Sequence, residues 1–131
     1  MKVLFVCVEN SCRSQMAEAF ARMHGRGVEA YSAGSKPSGK VNEKAIESMR
    51  EIGYNLSAHA SKALDEIPPG PYDVVVTMGC GDACPWVAAK RREDWDIPDP
   101  KGMNADEFRK VRFDIAMRVD ELINSLSARR V

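Results

Sequence analysis

Apolar residues alternate along the chain between short continuous runs and helical stripes. Val3-Leu4-Phe5-Val6 is an unbroken apolar run closed by a turn-forming stretch, the pattern of a strand buried on both faces. From Ser14 the period changes: Met16, Phe20 and Met23 fall on one helical face, and His24-Gly25-Arg26-Gly27 stops the helix, with Gly25 placed for a left-handed cap. Val28 to Ala33 reads as a second strand and Gly34 to Gly39 as a loop. Asn42 can cap a helix running to Ile52, with Ala45, Ile46, Met49 and Ile52 as its apolar face. A short helix is predicted around Lys62 to Ile67, then a central strand over Tyr72 to Met78 and a weaker strand near Trp95 to Ile97. The last helix starts at Asn104, where Asn104 and Glu107 make a capping box. Phe108, Val111, Ile115, Val119, Leu122 and Leu126 sustain its stripe.

Strands alternating with helices imply an α/β fold with a parallel sheet and right-handed crossovers. Ligands of such sheets bind beyond the carboxyl ends of the strands. Cys7, Cys80, Cys84 and Asp99 each fall just after a predicted strand, so the fold should gather them on one edge.

Length and charge narrow the class. The 131 residues suffice for one ordinary core, so residues 1–131 are expected to form a single domain. With 19 basic and 19 acidic residues, no net field draws the chain to nucleic acid or to an anionic membrane. No apolar stretch approaches spanning length and no signal-peptide pattern opens the sequence, which predicts a cytoplasmic protein. In a reducing compartment four cysteines point to catalysis or metal binding rather than to structural disulfides. The spacings Cys7-x4-Cys12 and Cys80-x3-Cys84 fit zinc ribbons poorly, and Arg13 beside the first pair opposes a cation; no metal is expected.

The chemistry concentrates in Cys7-Val8-Glu9-Asn10-Ser11-Cys12-Arg13-Ser14, between the first strand and the first helix. Successive backbone N–H groups of such a loop can converge on an anion, and the helix N-terminus adds its own amides and dipole. Val8 to Ser14 would then form an oxyanion cradle with Cys7 beneath it. That field and the Arg13 guanidinium favour thiolate over thiol, which makes Cys7 the candidate nucleophile. Ser14 could cap the helix or hydrogen-bond the Cys7 sulfur; the sequence leaves both open.

Cys7, Arg13 and Ser14, followed by Ser32-Ala33-Gly34, by Ser57-Ala58-His59-Ala60-Ser61 and by Asp99-Pro100, resemble the low-molecular-weight protein tyrosine phosphatase superfamily over nearly the full length. The added pair Cys80 and Cys84, with Val76 to Cys80 and Trp95 to Pro100, looks like the thiol-coupled arsenate reductases of that superfamily. The resemblance implies a four-stranded parallel sheet flanked by helices in flavodoxin-like order. It also implies reduction of arsenate to arsenite. Cys7 would attack arsenate held by the loop and Arg13, Asp99 would protonate the departing oxygen, and Cys80 and Cys84 would carry the oxidation away as a disulfide. No bound cofactor is expected; the electrons would come from thioredoxin or from a low-molecular-weight thiol with glutaredoxin, with phosphate and sulfate as competing anions. The protein is expected to act as a monomer.

Departures from the family qualify this. Glu9 replaces a usual glycine and would repel an oxyanion unless turned to solvent. Some members bind potassium through residues matching Asn10, Glu18 and Ser32, with an Asp where this chain has Lys62, whose ammonium could replace the ion. Cys12 stands where family members can trap the nucleophile as an off-pathway disulfide. Two alternatives remain: a phosphotyrosine phosphatase, disfavoured because Lys101 stands where such enzymes tend to carry an aromatic, and an oxyanion- or redox-responsive sensor.

Overall fold

The computed structural model describes residues 1–25, 27–79 and 87–128. Strands β1 (Lys2–Cys7), β2 (Glu29–Gly34), β3 (Tyr72–Thr77) and β4 (Ala89–Asp94) form one parallel sheet in the order β2-β1-β3-β4. Helices α1 (Arg13–His24), α2 (Glu43–Arg50) and α3 (Ala105–Ala128) complete the α/β architecture. The 62–67 region is irregular apart from a single 3-10 turn at Leu64–Glu66.

The sheet has two apolar faces because β1 and β3 alternate between them. Val3, Phe5, Val74 and Val76 pack against Met16, Ala17, Phe108, Ile115 and Val119 of α1 and α3. Leu4, Val6, Tyr72 and Val75 pack on the other side beneath Leu64, Ile67 and Val87. The predicted caps are present: Gly25 is left-handed at φ 68°, and Asn42 Oδ1 accepts the Lys44 and Ala45 amides, a cap of the kind that contributes about 1 kcal/mol. Met23, expected on the buried face of α1, is exposed instead.

The fourth strand differs from the expectation. It lies at Ala89–Asp94, not at Trp95 to Ile97, and its sequence Ala-Lys-Arg-Arg-Glu-Asp carries almost no apolar signal. It is an edge strand, paired only with β3, so its residues alternate between half-buried and exposed. Arg91 turns inward with Glu93, 2.5 Å from it, and charges of this kind blunt an open edge against further pairing. Trp95 and Ile97 are buried just beyond the strand, where Trp95 N–H still donates to Thr77 C=O.

Register brings the site together. Cys7 pairs with Gly34, Val6 with Thr77, and Thr77 with Asp94, so all four strands end at about one level, beside the start of α1.

Candidate active site

The loop after β1 is held by its carbonyls. Val8 C=O accepts from Lys36 N–H at 2.8 Å, and Glu9 C=O from Ser38 N–H and the Ser61 hydroxyl. Asn10 C=O accepts from Gln15 Nε2, and Ser11 C=O from Asn42 N–H. A trans peptide directs its N–H opposite its C=O. With the carbonyls of residues 8–11 engaged, the loop's amides and the N-terminus of α1 are the groups that could line an anion site. A loop held in this way suits an anion. Asn10 makes the turn with φ 51°, a left-handed conformation in which asparagine is among the better-tolerated residues. Gly34 is equally required: a Cβ there would lie 2.5 Å from Val8 C=O.

Cys7 ends β1 at the base of the loop, 3% exposed. Its sulfur lies 2.8 Å from Ser14 Oγ, and Asn10 Nδ2 donates to the same hydroxyl at 2.8 Å. Ser14 Oγ therefore bonds the Cys7 sulfur rather than capping α1, and either atom can be the donor of that bond. Helix α1 begins at Arg13 with Cys12 as its N-cap, and no side chain caps it.

Arg13 is half-buried and spends one of its five donors, Nη1, on Ile97 C=O at 3.0 Å. The guanidinium crosses Gly79, where a Cβ would stand 2.6 Å from Nη1. Burial pushes the Cys12 thiol up to about 12, with smaller upward contributions from the nearby charges of Asp99 and Cys7. Burial thus favours the protonated form of the Cys12 thiol. Asp99 is exposed, and its Oδ1 accepts Lys101 N–H, shaping the 3-10 turn Pro100–Gly102. Both carboxylate oxygens of Glu9 lie 3.2 Å from Lys101 Nζ. Cys80 and Cys84 lie outside the described residues. Among the described residues no group of three or more His, Cys, Asp or Glu is placed to hold a metal ion.

The potassium-site positions are occupied by protein donors. Glu18, 2% exposed, accepts from Ser32 Oγ at 2.6 Å and pairs with Arg22 Nε at 2.9 Å and Lys62 Nζ at 3.8 Å. Asn10 Oδ1 is taken by Gln15 Nε2 and Lys62 N–H. This set does not fit a bound cation; Lys62 supplies the positive charge. Exchanging potassium for sodium at constant ionic strength should leave turnover within about twofold and the thermal midpoint within about 1 °C, because Lys62 already supplies the positive charge beside Glu18.

Sequence reasoning missed what lies behind the loop. Gln15 bonds Asn10 and Ala60 C=O through Nε2, and its Oε1 lies 2.9 Å from His59 Nδ1. His59 Nε2 lies 2.6 Å from the Tyr54 hydroxyl. The pattern is satisfied by neutral His59 donating from Nδ1 and accepting at Nε2. Burial lowers its pKa, which outweighs the opposing pull of Glu18. Below about pH 6.5 the unfolded chain then binds a proton that the folded chain refuses, so stability falls as pH falls. Urea midpoints taken between about pH 7.5 and 5.5 should drop less in His59→Gln than in the wild type.

The comparisons agree with this geometry. Residues 2–131 match the family described as low molecular weight phosphotyrosine protein phosphatase. The chain is 41% identical over 129 residues to the glutaredoxin arsenate reductase of Synechocystis sp., spanning 96% of this chain and 98% of that one. It is 40% identical over 124 residues to an arsenate reductase of Staphylococcus aureus, spanning 91% and 93%. A solved arsenate reductase in the phosphate binding state superposes with a TM-score of 0.85 at 41% identity, over 95% of this chain and 97% of that one. A cysteine loop at the carboxyl end of β1 and relatives that span nearly the whole chain lead to one assignment: the chain is an enzyme of the low molecular weight phosphotyrosine protein phosphatase family.

Proposed function

We propose that the enzyme reduces arsenate to arsenite through a relay of Cys7, Cys80 and Cys84. The observation that carries the reading is the buried Cys7 sulfur at the base of a loop whose carbonyls are tied to the rest of the chain, within hydrogen-bond reach of Ser14 Oγ. Arsenate is a tetrahedral oxyanion that such amides and a planar guanidinium suit. The Cys7 thiolate attacks arsenic, and one oxygen leaves as water after taking a proton from Asp99. Cys80 then attacks the Cys7 sulfur. The sulfur–arsenic electron pair stays with arsenic, which departs as arsenite, and a Cys7–Cys80 disulfide forms. Cys84 attacks that disulfide at Cys80, frees Cys7 and leaves a Cys80–Cys84 disulfide for an external dithiol or thiol to reduce.

The names of the relatives support a thiol partner of thioredoxin or glutaredoxin type. The test is turnover of arsenate with the thioredoxin system and with glutathione plus glutaredoxin, supplied separately, alongside a phosphotyrosine analogue. The expected result is arsenate-dependent consumption of one reductant. Hydrolysis of the analogue without arsenate reduction would select a phosphatase instead, and neither activity would favour a sensor.

A further inference from the structure

Glu9 and Lys101 are 92 residues apart in sequence, yet the Lys101 ammonium stands 3.2 Å from each Glu9 carboxylate oxygen. Glu9 belongs to the oxyanion loop; Lys101 follows Asp99-Pro100. The pair therefore bridges from the loop to the segment carrying the acid. A second tie, Arg13 Nη1 to Ile97 C=O, joins the same two segments on the other side of Asp99. The Lys101 N–H bonded to Asp99 Oδ1 fixes where the bridge begins. With side chains 57% and 37% exposed, the pair contributes little to stability, which directs attention to what it covers.

Chemistry sets what must pass there. The proton from Asp99 goes to the oxygen that leaves. In arsenate that oxygen carries only hydrogen. In a phosphate monoester it is the ester oxygen, so the organic group must project beside Asp99, where the bridge lies. We propose that the Glu9–Lys101 ion pair is a specificity bar across the rim of the site, which obstructs organic phosphate esters and admits a free inorganic oxyanion. The inference rests on reading Cys7 as nucleophile and Asp99 as acid. The pair also explains how a carboxylate is tolerated in an anion-binding loop: Lys101 balances its charge.

The test compares kcat/KM for para-nitrophenyl phosphate and for arsenate in the full-length enzyme. In Lys101→Ala the ratio of ester to arsenate kcat/KM should rise at least about tenfold, whatever common loss the unbalanced Glu9 charge imposes on both anions. Lys101→Glu should distort the ratio, and adding Glu9→Lys should return it to within about threefold, since a reversed pair closes the same gap. An unchanged ratio in Lys101→Ala, or a double variant no nearer to wild type than Lys101→Glu, would overturn the bar. Cys7→Ser in the same assays reads the underlying assignment separately: if either activity survives it, the nucleophile is misassigned and the bar falls with it.

Discussion

Cys7→Ser abolishes arsenate reduction, with an expected loss in kcat of at least about a thousandfold. The reason goes beyond nucleophilicity. A serine oxygen is a poor nucleophile at neutral pH, and it cannot become half of a disulfide, so it has no means of passing two electrons to arsenic. The fold should persist. Cys7 is buried with its sulfur against Ser14 Oγ, and a hydroxyl in that place keeps a hydrogen bond. The cradle should persist as well, because the carbonyl ties use backbone atoms and the side chains of Ser61 and Gln15, none of them on Cys7. Phosphate titrated calorimetrically into the variant should therefore still bind. Arsenate turnover in Cys7→Ser would remove Cys7 from the reaction.

Cys80→Ser is the second large effect. With thioredoxin as sole reductant, multiple-turnover reduction should fall at least about a hundredfold, since the covalent arsenic adduct on Cys7 then lacks the thiol that cleaves it. A small thiol can reach an adduct that a protein cannot, so glutathione is left out of this assay. Cys84→Ser should behave differently. It should release one arsenite per enzyme and stop with Cys7 joined to Cys80, which peptide mass analysis would identify, whereas the wild type without reductant should stop with Cys80 joined to Cys84. Full multiple turnover by Cys80→Ser would end the relay.

What the sequence disclosed follows the range of the interactions. β1, its loop and α1 were legible because an apolar run, a turn and a helical stripe are local patterns. β4 was not: Lys90, Arg91, Arg92, Glu93 and Asp94 form an edge strand whose stability comes from pairing with β3, while Trp95 and Ile97 supplied the apolar signal one step too late. The Cys7, Arg13 and Ser14 loop stood out by its place between a buried strand and a helix start, since the Cys–Arg spacing alone is a weak signal. The support behind it was hidden because Gln15 meets His59 44 residues away, and no local pattern announces that contact. Glu9 looked like an obstacle for the same reason, its counter-charge lying at Lys101.

Gly34 carries a consequence for how such a site can spread among proteins. It closes β2 opposite Cys7, and the missing side chain is the space through which the loop carbonyl at Val8 passes. Lys36, Ser38, Asn42 and Ser61 complete the holding of that loop from other parts of the chain. The eight residues from Cys7 to Ser14 are thus not a portable cassette. Grafted onto another strand–helix junction they would bring the reactive sulfur without the mould that shapes the amides around it, so the chemistry is inherited with the neighbouring strand or not at all.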